Sequence, residues 1–399
     1  MVGECLTKIL FFPQNNYFLE VLNRQNKFFA AKAAYQKAYE QILAKATTET
    51  DIYTCFQLLA DLLSQVNDQH NMVYTTFDKM TAADSKDSEK LAAFKKGVAY
   101  QIYPDYVGDL DKLAMELGQK KEAAIEGIYQ TDYQANGDME IGVVKVKNGE
   151  NLNLVVLETQ SPIWSKGEIM GQLKPYPNAS NKFFAAVGLP DSKQMLLYRE
   201  VVENGNFAAL GLSKDSTKVY FSDEAFPDTT YMLITLADDI QYIKIGSFKS
   251  FYPTLKEAED FYKTLSGKLT ASNLIIDLRS NGGGGDRNSN ILWKFLKKNY
   301  KKKNVYVLTN SSTASNAEQF ALRLKSFKNS TILGQTTSGT LAYELGNESK
   351  LPSGYFNTFL TFKGFKKYIP YEGIGVKPAV ILDNETDWVE QVQRMIEGK

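Results

Sequence analysis

Two changes of residue pattern along 399 residues predict a multidomain α+β protein. Up to about residue 121, apolar residues recur at helical spacing. From about 122 to 226, short alternating runs follow one another between Asn, Gly, Asp and Pro. From 227 to 399, near-continuous apolar strands alternate with helical stretches. The expected architecture is therefore a helical N-terminal region (1–121), an antiparallel β-barrel-like domain (122–226) and an α/β core (227–399).

In the first region, Asn16 to about Lys45 reads as a helix, with Phe18, Val21, Leu22, Phe28, Phe29, Ala33 and Tyr39 as its apolar positions. The polar break at 46–50 offers N-cap residues. A second helix follows, with Ile52, Phe56, Leu59, Leu63 and Val66 on one face at 3.6 periodicity. It ends in Asn67-Asp68-Gln69-His70-Asn71, which holds the single histidine of the chain. A lone histidine is ordinarily a surface or core residue. Here it sits in a loop beside Asp68, and no other imidazole is available as a base near neutral pH. Residues 78–96 are charged and Ala-rich, a surface helix or loop, and a short helix ends at Gly118.

In the second region about eight alternating runs, from Glu126 to Glu224, have the spacing of a meander or barrel. Asn136-Gly137-Asp138 and Asn148-Gly149 are hairpin signals. Trp164, Phe183, Phe184 and Tyr198 are the simplest core residues.

In the third region IQYIKIGSF reads as a strand, Leu255–Leu265 as a helix, and LIIDLR (Leu274–Arg279) as a strand covered on both faces. The run Ser280-Asn281-Gly282-Gly283-Gly284-Gly285-Asp286 follows, then a helical stretch. VYVLTNSSTASNAE (Val305–Glu318) is a buried strand that ends in small hydroxyl residues and enters a helix near Ser315. STILG (Ser330–Gly334) is the next strand. A hydroxyl at a strand-to-helix turn lies beside unpaired amides and the positive end of the helix dipole. Ser312, Thr313 or Ser315 either caps that helix or supplies an attacking oxygen. The glycines do not fit a dinucleotide fingerprint, because Arg287 and Asn288 stand where GxGxxG needs glycine, and no GxxxxGKS/T occurs. They form either a tight turn or an amide-rich wall open to an anion.

Composition narrows the function class. Hydrophobic residues make up 43% and charged residues 23%, the balance of a globular protein in water. Lys plus Arg and Asp plus Glu both number 46, which argues against nucleic acid as the main partner. No apolar run approaches the roughly 18 residues of a membrane span. The opening MVGECLTKILFFPQNN carries Glu4 and lacks a basic n-region and a small-residue cleavage site, so it does not read as a signal peptide. Cys5 and Cys55 are too few for a disulfide framework, though they would pair in an oxidising compartment. Without CxxC, HxxxH or a second histidine, no metal or other cofactor is expected.

Three separated stretches together resemble one family. LIIDLRSNGGGG followed by VYVLTNSSTASNAE is similar to the core of the C-terminal-processing and tricorn-type serine peptidases. In their pattern a strand ends DLR-x-N-x-G-G, and a later one ends Ser/Thr-Ala-Ser-x-Ala/Ser-Glu. The resemblance covers roughly 230–399, with an echo at LLSQVNDQH. It implies a ClpP/crotonase-like core, Ser315 as nucleophile, and an oxyanion hole from the Asn316 amide and the glycine run, Gly283 foremost with Gly284 beside it. One branch of the family uses a Ser/Lys dyad, and Thr340 occupies the position of its lysine. The tricorn branch uses His with a supporting Ser and Glu. His70 maps onto that histidine and Glu372, in Glu372-Gly373-Ile374-Gly375-Val376-Lys377-Pro378, onto the glutamate. Gln69 takes the place of the supporting serine. The β region resembles a lipocalin-like barrel rather than the PDZ domain of the dyad branch.

The resemblance implies a hydrolase acting on a peptide or protein. It also implies an exported protein, periplasmic or extracellular, whose signal peptide is absent from this sequence, while a cytoplasmic location stays open. The alternatives are a catalytically inactive relative that holds a peptide, lipid or glycan and, on the related crotonase-like fold, an isomerase or hydratase of acyl-CoA. The last has no use for a catalytic serine. Oligomeric state is not legible.

Overall fold

A computed structural model describes residues 29–398, apart from 47–49, 82, 132–137, 148, 178, 208, 216, 218–220, 223–227 and 352. The start of the expected first helix, Cys5 with its pairing to Cys55, and the turns at Asn136-Gly137 and Asn148 lie outside the described residues. The chain divides into two compact units. One contains the residues up to Thr217 together with Tyr343–Gly364, and the other contains Lys218–Ala342 and Phe365–Lys399.

The first unit opens with helices α1 (Phe29–Lys45) and α2 (Ile52–Ser64). Asp51 caps α2, accepting the Thr54 N–H at 2.7 Å. Cys55, Phe56, Leu59, Leu62 and Leu63 are buried along it. After the turn that carries His70 comes the short strand β1 (Met72–Thr75). The charged stretch 78–96 holds a 3₁₀ turn at Asp84–Lys86 and helix α3 (Ser88–Lys95), capped by Asp87. Helices α4 (Val98–Gln101) and α5 (Leu110–Gly118) follow, the latter capped by Asp109 and ending where the glycine was expected to stop it.

Eight antiparallel strands then close into a barrel: β2 (Gly127–Thr131), β3 (Met139–Lys145), β4 (Leu152–Thr159), β5 (Ile169–Tyr176), β6 (Ala179–Gly188), β7 (Met195–Glu203), β8 (Asn206–Phe207) and β9 (Leu212–Ser213). Neighbouring strands pair in sequence from β2 to β7, and β8 and β9 complete the ring, with β7 bonded to β8 and β9 to β2. Closure removes the exposed strand edges. The two short closing strands β8 and β9 stand at the place of one of the expected alternating runs, and most of 218–224, the last of those runs, lies outside the described residues. Tyr129, Ile141, Val143, Leu154, Val156, Leu173, Phe207 and Leu212 belong to one sealed apolar cluster, which also takes in Phe56 and Leu59 of α2. The helical region and the barrel therefore share a core, where the sequence pattern had them as separate domains. Each fully buried side chain of this size contributes roughly 1.5–3 kcal/mol.

A second departure concerns the hairpin β15 (Tyr343–Lys350) and β16 (Phe356–Gly364), placed by sequence in the α/β core. β16 pairs antiparallel with β1, Met72 opposite Phe359 and Thr75 opposite Phe356, and β1 in turn pairs with β7. Alternation identifies a strand but not its partner.

The second unit is an α/β sheet in the order β10 (Tyr231–Ala237), β11 (Ile240–Ile245), β12 (Asn273–Asp277), β13 (Asn304–Thr309), β14 (Asn329–Gly334), β17 (Val380–Ile381). Only β10 and β11 are antiparallel. β10 was not anticipated; Asp238-Asp239 turns it back on β11 as an edge strand. Helices α6 (Thr254–Leu265), α7 (Asp286–Asn299) and α8 (Asn316–Leu324) form the crossovers, and α9 (Trp388–Glu397) closes the chain. All five residues of β12 are buried, as a strand covered on both faces requires. Ile275, Leu308, Leu333, Trp388 and Val392 form the core beneath α9. No helix among the described residues is long and apolar enough to cross a membrane.

Candidate active site

Parallel strands with crossover helices gather the loops at their carboxyl ends, and the two loops singled out by sequence meet there. At the end of β12, Arg279 and Asp277 form a buried ion pair (Nη2 to Oδ2, 2.6 Å), and Asp277 also accepts the Tyr242 hydroxyl at 2.9 Å. This pair fixes the start of the glycine loop. At the end of β13, the Thr313 hydroxyl donates to the Leu278 carbonyl (2.8 Å) and the Ala314 N–H to the Asn281 carbonyl (2.9 Å). The Ser280 N–H donates to Asn310 Oδ1 at 2.9 Å. The two loops are thus stitched together through buried groups.

Ser315 is the residue immediately before α8. Its backbone lies at φ 55°, ψ −123°, a region that L-residues with a side chain rarely occupy. It is half-buried, unlike Thr313 and Glu318 on either side, which are sealed. Gly283, at φ 92°, lies directly against it: a Cβ there would stand 2.8 Å from the Ala314 carbonyl oxygen, the Asn316 nitrogen and the Ser315 Cβ. No other residue fits. The Gly283 N–H, however, already donates to Asn281 Oδ1 at 2.8 Å, so the amide expected to lead an oxyanion hole is engaged. The N–H groups of Asn316, at the first position of α8, and Gly284 have no acceptor among the described residues.

Glu318 is the residue whose role sequence reasoning missed. Its fully buried carboxylate accepts the Ser315 N–H (2.9 Å) and Thr340 N–H (2.8 Å) on one oxygen, and the Gly339 N–H (2.7 Å) and Thr337 hydroxyl on the other. It clamps the strained serine to the 337–340 turn. The signal was present: Ser315-x-x-Glu318 is the capping-box spacing. Thr340, at the position of the dyad lysine, spends its amide on Glu318 and shares a hydrogen bond between its hydroxyl and that of Ser338 (2.8 Å).

Glu372 is buried rather than a surface acid, and accepts the Leu341 and Ala342 N–H groups at 2.9 and 2.7 Å. Its segment is zipped to the same turn: the Gly373 N–H meets the Gly339 carbonyl (2.6 Å), and the Val376 N–H the Thr337 hydroxyl (2.7 Å). Ser315, Asn316, Gly283, Gly284, Thr340 and Glu372 therefore belong to one hydrogen-bonded assembly in the second unit.

Asp68, Gln69 and His70 are in the first unit. The Asp68 carboxylate accepts the main-chain N–H of His70 (3.0 Å) and the Thr361 hydroxyl, so it holds the turn rather than the imidazole ring. Arg199, reaching from β7, donates to the Asp68 carbonyl at 2.9 Å, and Gln69 donates to the Tyr176 hydroxyl at 3.0 Å. The His70 Nδ1 is buried without a hydrogen-bond partner among the described residues. Burial, and then the Arg199 cation, push the imidazole down to about 4, so it is neutral at pH 7. Burial pushes Asp68 up to about 6, against the Thr361 hydrogen bond.

The model of peptidase family S41 matches residues 239–299 and 294–380, a span that includes the glycine loop, Ser315 and Glu372. Over that span the chain is similar to peptidase family S41. It is a serine-type peptidase, and its substrate is a peptide or protein. The chain is also similar to solved structures. Mature CPAF complexed with lactacystin matches at 12% identity over 99% of this chain and 100% of that one, TM-score 0.44. The photosystem II D1 C-terminal processing protease matches at 17% over 90% and 89%, TM-score 0.35. A lipoprotein from Streptococcus agalactiae matches at 19% over 43% and 71%, TM-score 0.32.

Proposed function

We propose that this chain hydrolyses peptides through a Ser315 acyl-enzyme without a dyad lysine. Ser315 Oγ attacks the substrate carbonyl. His70, neutral and carrying an uncommitted Nδ1, takes the proton as general base and returns it to the leaving amine. The Asn316 and Gly284 amides receive the oxyanion, each worth on the order of 3 kcal/mol, and Gly283 joins them only if its bond to Asn281 opens. Glu372 and Glu318 hold the main chain around the nucleophile, and Asp68 and Gln69 support the turn that bears the base. The observation that carries this reading is the φ 55° conformation of a half-buried Ser315 between a strand and a helix, with Gly283 pressed against it.

The Ser315→Ala variant is expected to fold normally, to lose peptide hydrolysis at least a thousandfold, and to resist a fluorophosphonate probe that labels the parent at Ser315. Retained hydrolysis would overturn the assignment. The engaged Gly283 amide favours a second reading, an inactive relative that binds peptide. In that case the parent chain itself does not label.

A further inference from the structure

Most exposed apolar side chains in the second unit stand singly, as Ile381 does, and single ones need no explanation. Phe251 and Tyr252 differ. They are adjacent, 81% and 72% exposed, and continue into exposed Pro253. Neither ring stacks on another aromatic among the described residues. Their backbone is nonetheless tied down. The Phe248 N–H donates to the Gly283 carbonyl (2.9 Å) and the Gly285 N–H to the Phe248 carbonyl (2.8 Å), making a parallel bridge between Phe248 and Gly284. The Ser250 hydroxyl donates to the Gly285 carbonyl (3.0 Å), and on the far side the Phe251 carbonyl accepts the Leu255 N–H of α6 (2.9 Å). Gly284 lies so close that a Cβ there would stand 2.1 Å from the Phe248 carbonyl. The same glycine loop touches Ser315 through Gly283. Phe251 and Tyr252 stand three and four residues past the bridge at Phe248, a span of at most about 11 and 14 Å, so both rings lie within the reach of an extended substrate that advances roughly 3.3 Å per residue.

We propose that Phe251 and Tyr252 form an apolar lip that receives a hydrophobic side chain of the substrate peptide a few residues from the scissile bond, and so set sequence preference. This rests on the reading that Ser315 and the glycine loop are the site of cleavage. The rings sit on a rigid mount, so binding orders no loop, and their exposed faces supply the driving force when a Leu or Phe side chain covers them. Polar residues gain nothing from that surface.

The test uses the full chain carrying Ser315→Ala and two fluorescein-labelled decapeptides that differ only in Leu against Ser at the inner positions. Anisotropy titrations are run on this chain and on the same chain with Phe251→Ser or Tyr252→Ser added, with thermal midpoints as a check of folding. A preference for the Leu peptide of about tenfold, reduced to under threefold by either added substitution, is the expected result. Equal affinity for the two peptides, or an unchanged preference after both substitutions, overturns the lip. Fluorophosphonate labelling of the parent chain is scored separately. A chain that keeps the ring-dependent preference but does not label supports the lip and refutes the acyl-enzyme.

Discussion

Replacing Glu318 by Gln tests whether the strained serine needs its clamp. The carboxylate serves three main-chain donors and one hydroxyl, two on each oxygen. An amide keeps one oxygen. If its NH₂ faces Ser315 and Thr340, two buried N–H groups lose their acceptor. If it faces Gly339 and Thr337, one N–H is orphaned, while the Thr337 hydroxyl can rotate to accept. The second arrangement is the cheaper. It leaves one orphan donor, at about 1–3 kcal/mol, and weakens the remaining bonds by removing the charge, so about 2–4 kcal/mol in all. For a unit of this size that is roughly a 10 °C fall in Tm. Ser315 also loses part of what holds it at φ 55°. Fluorophosphonate labelling is therefore expected to slow at least tenfold, measured as the second-order rate constant beside a thermal melt. Labelling within twofold of the parent, with Tm within about 2 °C, would refute the claim that Glu318 holds the nucleophile.

Two further outcomes follow from the same geometry. Gly283→Ala puts a Cβ 2.8 Å from three atoms of the serine turn and strains a φ of 92°; a loss of about 2–4 kcal/mol in denaturant unfolding and loss of labelling are expected, and a parent-like midpoint would show that the loops part freely. The third outcome concerns pH. His70 binds its proton at about 4 folded against 6.5 unfolded, so between those values the unfolded chain holds more protons and stability falls as pH falls. Asp68, up at about 6 from 3.8, acts in the opposite sense and favours the folded state as pH falls. His70→Gln removes the first contribution, so its stability relative to the parent is expected to rise by up to about 3 kcal/mol between pH 7 and 4 in urea titrations. A difference that does not change with pH would show that the imidazole is not depressed.

Much of the fold could be read locally. The period of α2, the end of α5 at Gly118 and the doubly buried β12 follow from spacing and composition, because each is a property of a few consecutive residues. The candidate site was legible in part for the same reason: Ser315, Asn316 and the glycines stand at strand ends that the apolar runs mark out. What stayed hidden depends on partners distant in sequence. Nothing in Phe356–Gly364 announces that its partner is Met72–Thr75. Glu318 looks like one more helix acid until Gly339 and Thr340 arrive beneath it. Arg199 is an ordinary strand residue until β7 brings it to the Asp68 turn.

The amino-acid order alone determined where most strands, helices and turns occur, that the chain carries a single imidazole, and that small hydroxyl residues follow the strand at Val305–Leu308. Tertiary structure decided that the helical region and barrel share one core, that the late hairpin belongs with the barrel, that Gly283 abuts Ser315 while its own amide is taken by Asn281, and that a buried carboxylate clamps the serine turn. Periodicity and caps are short-range, set by side chains within a turn or two. Strand pairing and buried hydrogen bonds are chosen among distant partners, only after burial has removed water as a competitor.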